Sequence, residues 1–346
     1  MIYLFGKAGK LLGMKLFFWF FASILVVAPC TFTNDNTFKI QKGSLLYDFS
    51  FAELAIKYLE TGDSTYLLEI ASLEATEHLL NHASQFNYNV PKESAYELSV
   101  YLLSDFLDDE KVIELIRRNL QFAKDSIALT DFPQKICLQY LPENFVFRGK
   151  LFFTVGYDLG VVYANNASLN IVHPRFITII DEMKYYAIHE LHHAGFLQLK
   201  ESQMPSLDIT TYGEMAELIE YFTHLEGMGT YVPLDSRTKS DALASDPDYI
   251  ALMDIEKMEK FEKEYFEIYF HFKNHPDKLL NPEDWQKIAS LSDGKRLWYR
   301  VGANIAKKID EKKGREKLIE ILNEPTENFI RTYLNLKNET ERNTDN

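Results

Sequence analysis

The run His189-Glu190-Leu191-His192-His193 constrains this chain more than any other stretch. Histidines four residues apart lie on one face of an α-helix, where two imidazoles can grip a single ion. Glu190, directly after the first histidine, then sits beside that ion, where a general base for a metal-bound water is needed. A fold that uses this run needs a helix through it, a cleft alongside, and a third ligand from elsewhere. Two further histidine pairs have the same spacing, His78 with His82 and His271 with His275. Neither has a glutamate after its first member, and both read as ordinary helix residues, the first pair partly exposed.

The rest of the composition narrows the ligand chemistry. The chain has 346 residues and two cysteines, Cys30 and Cys137. A cysteine-based zinc site is therefore excluded and a structural disulfide is not expected, so any metal is held by His, Asp or Glu. Net charge of −14 argues against a nucleic-acid partner, since phosphate binding needs a basic surface. An aromatic share of 14% fits a substantial core.

Residues 1–30 read as an export signal. Lys7, Lys10 and Lys15 precede an unbroken apolar run over 16–27, and Ala28-Pro29-Cys30 offers a cleavage site. Met14 is an alternative start, because Met14-Lys15 and the apolar run form a complete signal. Export to the periplasm or the exterior is the expectation, with membrane attachment through the uncleaved segment or an acylated Cys30 as variants. A polar linker follows over 31–43. A single domain is expected over 44–336, with a helical part at 44–130 and a catalytic part at 131–336. Residues 337–346 read as a polar, frayed tail.

Within the catalytic part, short β-rich runs at 136–141, 151–155, 161–163 and 169–172 predict a small meander of three or four strands. Helices are expected over 177–199, carrying the motif, and over 210–231. Four more follow at 257–272, 282–291, 297–310 and 317–336. The fold class is thus α+β: mostly helical, with a small antiparallel or mixed sheet packed on the motif helix.

The third ligand comes from helical geometry. No histidine follows the motif until His224, so a third His on the same stretch is ruled out. The helix over 210–231 offers Glu214, Glu217, Glu220 and Glu226. At about 100° per residue, Met215, Ile219 and Phe222 share a side with Glu226, Glu217 points the opposite way, and Glu214 and Glu220 flank. Only Glu226 interrupts the buried stripe, where a carboxylate is costly without a partner.

His189-Glu190-x-x-His193 followed by Glu226-Gly227 resembles the gluzincins, thermolysin-like metallopeptidases whose third zinc ligand is glutamate. The run Leu225-Glu226-Gly227-Met228-Gly229-Thr230-Tyr231 is similar to the Glu-Gly-x-Ala-x-Tyr signature of several of them, such as the bacterial collagenases, with Gly229 in place of Ala. The chain as a whole resembles poorly characterised bacterial zinc-dependent peptidases. The resemblance implies a Zn²⁺ cofactor held by His189, His193 and Glu226, with Glu190 as the base for peptide-bond hydrolysis. It implies a peptide or protein substrate, aligned along an edge strand at 167–171. It also implies an oxyanion-stabilising Tyr or His. Tyr299 is the candidate, beside the small residues Gly302, Ala303 and Ala306 that suit a tightly packed helix. A core tyrosine is its competing reading. Tyr186, one turn before His189, is expected to line the cleft. Two rival functions stay open: a zinc hydrolase of a non-peptide substrate, and an exported, non-catalytic helical binding module.

Overall fold

A computed structural model describes residues 38–344, so the expected leader at 1–30 lies outside the described residues. Two four-residue strands open the described chain, β1 (Lys39–Lys42) and β2 (Leu45–Asp48). They pair antiparallel through a turn at Gly43, whose φ of +53° suits glycine. Five helices follow: α1 (Ser50–Thr61), α2 (Thr65–Ala71), α3 (Glu74–Gln85), α4 (Ala95–Leu103) and α5 (Glu110–Phe122). After α6 (Phe132–Cys137) come β3 (Lys150–Thr154), β4 (Gly160–Tyr163) and β5 (Asn166–Asn170). Then come α7 (Pro174–Thr178), α8 (Glu182–Lys200), α9 (Tyr212–Tyr231), α10 (Leu234–Lys239) and α11 (Pro247–Met253). The last five are α12 (Ile255–Lys273), α13 (Asp284–Ser292), α14 (Leu297–Lys313), α15 (Arg315–Leu322) and α16 (Glu327–Thr344). The expected α+β class, mostly helical with a small sheet, is the observed one. Among the described residues no helix is long and apolar enough to cross a membrane.

The sheet is mixed, not a meander, and runs β1-β2-β3-β5-β4. β3 lies parallel to both β2 and β5, while β4 and β5 form an antiparallel hairpin. The hairpin therefore inserts its second strand beside β3 and leaves β4 on the rim. This overturns the expected edge strand at 167–171: β5 is interior and β4 is the edge.

Other expectations shift for local reasons. The apolar run at 136–141 is not a strand, because Pro133 at the start of α6 pre-sets a helical φ. A 3₁₀ turn over Leu138–Tyr140 continues it. Part of the supposed linker, 39–42, is strand β1. The motif helix begins at Glu182 instead of 177, since β-branched Ile179 takes an extended conformation between α7 and α8. Pro325 splits the expected helix over 317–336 into α15 and α16, and α16 runs through the supposed frayed tail to Thr344. His78 and His82 are buried, where partial exposure was expected.

α8 and α9 occupy the centre. Nearly every residue of α9 is buried, as fits a helix surrounded by others. α8 packs on β4 and β5, and α9 packs on α8, α12, α14 and α16. A capping box opens α9: Thr211 accepts from the Glu214 N–H, and the Glu214 carboxylate accepts from the Thr211 N–H at 2.9 Å. That sets the rotation of α9 and hence the direction in which Glu226, three turns on, faces.

Candidate metal centre

α8 presents His189 and His193 on one face, and α9 brings Glu226 to them. Glu226 Oε2 lies 3.0 Å from His193 Nε2 and 3.4 Å from His189 Nε2. The two rings stand 4.3 Å apart, edge to face. One donor atom from each residue falls within 4.8 Å of the others, and no other such group of three exists among the described residues. This donor set, two imidazole nitrogens and a buried carboxylate oxygen, fits zinc and leaves one position for water. The other glutamates of α9 have separate duties. Glu214 caps the helix, Glu217 is exposed, and buried Glu220 bonds Tyr269 and Lys273, each at 2.7 Å.

Three close approaches need glycine. A Cβ on Gly229 would stand 2.5 Å from His193 Cε1 and 3.0 Å from His189 Cε1, so its absence gives both rings room. A Cβ on Gly160, in edge strand β4, would stand 2.6 Å from the Glu190 carboxylate. Gly227 and Gly302 bring α9 and α14 into backbone contact, with each added Cβ within 2.6 Å of the other's backbone. The last contact seats α14 beside the centre. It places the Tyr299 ring near-parallel to that of His189, 6.2 Å away.

Burial and neighbouring charge shape the acids. Burial alone would raise Glu226, but His193 and His189 outweigh it and hold the carboxyl far below its ordinary range. Glu190 responds the other way: burial pushes it up to about 7, His193 offsets part of that, and Glu226 adds to it. Burial also pushes the Tyr299 phenol well above its usual value, so it stays protonated. His192, on α8 between His189 and His193, is fully buried, and neither ring nitrogen has a hydrogen-bond partner among the described residues.

His189, Glu190, His193, Glu226, Tyr299 and Tyr186 all line one cavity of about 930 Å³. The cavity also contains features that sequence reasoning missed. Tyr186 donates to Asp246 at 2.7 Å, which also binds Arg175 at 2.6 Å. Asp248 receives both Arg296 and Arg300. The aspartates stand just after Ser245 and before Tyr249, in a polar stretch without the spacing of a motif. Only an alternation of Asp with Pro marked it, and that reads as the start of a helix.

Two histidines one helical turn apart, a glutamate between them and a carboxylate returned from a neighbouring helix make a centre of the kind found in zinc-dependent hydrolases. Residues 68–341, spanning every residue of that centre, match the family described as "Putative zinc dependent peptidase (DUF5700)", and the chain belongs to it. Its cofactor is zinc, and His189, His193 and Glu226 form the cluster able to hold it. No curated protein and no solved structure matches the chain.

Proposed function

We propose that the protein is a gluzincin-type peptidase that hydrolyses peptide bonds, with zinc held by His189, His193 and Glu226. The observation that carries this reading is the convergence of three donor atoms from two helices, with Glu190 facing the same cavity. Bound zinc supplies a Lewis acid for the scissile carbonyl and for a water. Glu190 takes the proton from that water and passes it to the leaving amine. Its raised carboxyl, near 7 before metal enters, suits a group that must both accept and return a proton. The protonated Tyr299 hydroxyl donates to the oxyanion as charge develops there. β4, the rim strand beside Glu190, is the strand along which an extended peptide would align. The proposal includes export, supported by the charged start and apolar run within residues 1–30.

The test is a peptide-hydrolysis assay on zinc-loaded variants with metal content measured in parallel. Glu190→Gln is expected to keep one zinc per chain and lose roughly 10²–10⁴-fold in kcat. Full activity in that variant sinks the assignment. Tyr299→Phe is expected to lose on the order of 10²-fold in kcat at unchanged zinc content. An unchanged kcat returns Tyr299 to the core.

A further inference from the structure

Arginines gather around the Tyr186 and Tyr299 wall of the cleft. Arg175 bonds Asp246, and buried Arg237 grips both oxygens of Glu182 at 2.7 Å between the rings of Tyr185 and Tyr249. Arg296 and Arg300 share Asp248. Glu226 of the candidate metal centre adds a carboxylate to the same cavity, and Asp248 is shared by two guanidiniums, of which Arg296 is the more exposed. Asp248 does not need it: Arg300, itself buried, already reaches Asp248 Oδ1 with Nε at 2.8 Å. Arg296 contacts Asp248 only through Nε, at 2.9 Å. Neither of its terminal Nη atoms has a hydrogen-bond partner among the described residues.

Three further features bear on that fork. The Arg296 guanidinium lies 3.5 Å over the Tyr299 ring, whose own ring stacks on His189. The side chain is 28% exposed and lines the cavity that holds the metal ligands. Its backbone, at the start of α14, is left-handed, with φ 49° and ψ 51°. Glycine adopts that conformation freely and arginine does not, so the turn alone gives no reason for an arginine. A guanidinium held over a ring, anchored at Nε and open at both Nη atoms, matches a carboxylate bidentately.

We propose that Arg296 is a specificity-determining residue that binds a carboxylate of the peptide substrate. That carboxylate is either the substrate's own C-terminus or an acidic side chain beside the scissile bond. The assignment rests on the peptidase reading above and adds the substrate class. Two pairs of quenched fluorescent peptides separate the sources: free C-terminus against C-terminal amide, and Glu against Gln next to the cleaved bond. With the wild-type zinc enzyme, one pair should differ roughly 10–100-fold, chiefly in KM, in favour of the charged member. Arg296→Gln should erase that difference, read as the charged-to-neutral ratio of kcat/KM within the pair whatever the variant's absolute rate, and Arg296→Lys, which keeps the charge, should retain part of it. Equal cleavage within both pairs, or a preference that survives Arg296→Gln, overturns the proposal and leaves the peptidase reading standing. Calorimetric titration of zinc-loaded Glu190→Gln protein, with and without Arg296→Gln, uses the same peptides. If no peptide is cleaved yet the charged member binds more tightly through Arg296, the hydrolysis reading falls and the carboxylate site stands. Equal or undetectable binding of charged and neutral members overturns the carboxylate site.

Discussion

The pairs His189/His193 on α8 and His78/His82 on α3 share spacing and helix setting, yet they meet different partners. On α3, His78 Nε2 meets Ser168 Oγ and His82 Nδ1 meets Tyr157 OH, each at 3.2 Å. Those partners are neutral, and burial pushes His78 down to about 4 and His82 to about 3. On α8 the pair faces the Glu226 carboxylate instead. Spacing gives two nitrogens on one face. Only a carboxylate brought in by a second helix turns them into a cation site, because a buried negative charge must be matched. The largest test of this contrast is zinc itself. Glu226→Ala is expected to abolish stoichiometric zinc and the zinc-dependent rise in melting temperature, whereas His82→Phe keeps both. Metal analysis and melting curves check it. A Glu226→Ala protein that still holds one zinc would reduce the two pairs to the same kind.

A smaller effect concerns the space around the α8 rings. The resemblance to the Glu-Gly-x-Ala-x-Tyr signature left Gly229 as a departure, and the geometry accounts for it. In this packing, a methyl group at 229 would press on both imidazoles, at 2.5 Å and 3.0 Å. Gly229→Ala is expected to displace the rings and lower kcat/KM by on the order of 10²-fold, the typical result of an ångström-scale misplacement. The backbone should stay folded, since alanine suits a helix better than glycine. Kinetics with a melting curve alongside distinguish the two effects. Unchanged kinetics would mean that the helices separate enough to absorb the methyl.

The cluster of His189, His193 and Glu226 was legible because it depends on rotation about single helices. His189 and His193 needed only the α-helical period, and Glu226 needed only its angle relative to Met215, Ile219 and Phe222. The sheet was far less legible. β3 pairs in parallel with β2, which is remote in sequence, and four-residue strands carry almost no periodicity of their own. The same remoteness hid Arg296, whose meaning depends on Asp248 and Tyr299 meeting it in space. Gly160 could not be read either, since a glycine near a strand end looks like a turn signal until Glu190 is seen against it. Burial of His78 and His82 was missed because α3 packs on β4, a contact that nothing local to α3 encodes.

The smallest effect concerns the buried histidines outside that cluster and their response to pH. His224 on α9 stacks on Phe329 at 4.4 Å and meets Phe196 edge-on, with neither ring nitrogen partnered among the described residues. Burial holds its pKa well below the ordinary value, and Lys200 and His192 add to that. In the unfolded chain the same ring takes up a proton near pH 6.5. Below that pH the unfolded state binds a proton that the folded state refuses, so stability falls as pH falls. His78 and His82 add the same dependence over windows running from 6.5 down to about 4 and about 3. Each such histidine contributes a slope of about 1.4 kcal/mol per pH unit within its window. His224→Phe keeps the stacked ring and removes the titrating group, so its slope between pH 6 and pH 5 should be shallower than wild type by about that amount. Urea unfolding of both proteins at pH 7, 6 and 5, each stripped of zinc, cancels the contribution of the metal ligands in the difference. Parallel stability curves would mean that His224 takes up its proton in the folded state, which requires a partner or water beside it in what is otherwise an aromatic enclosure.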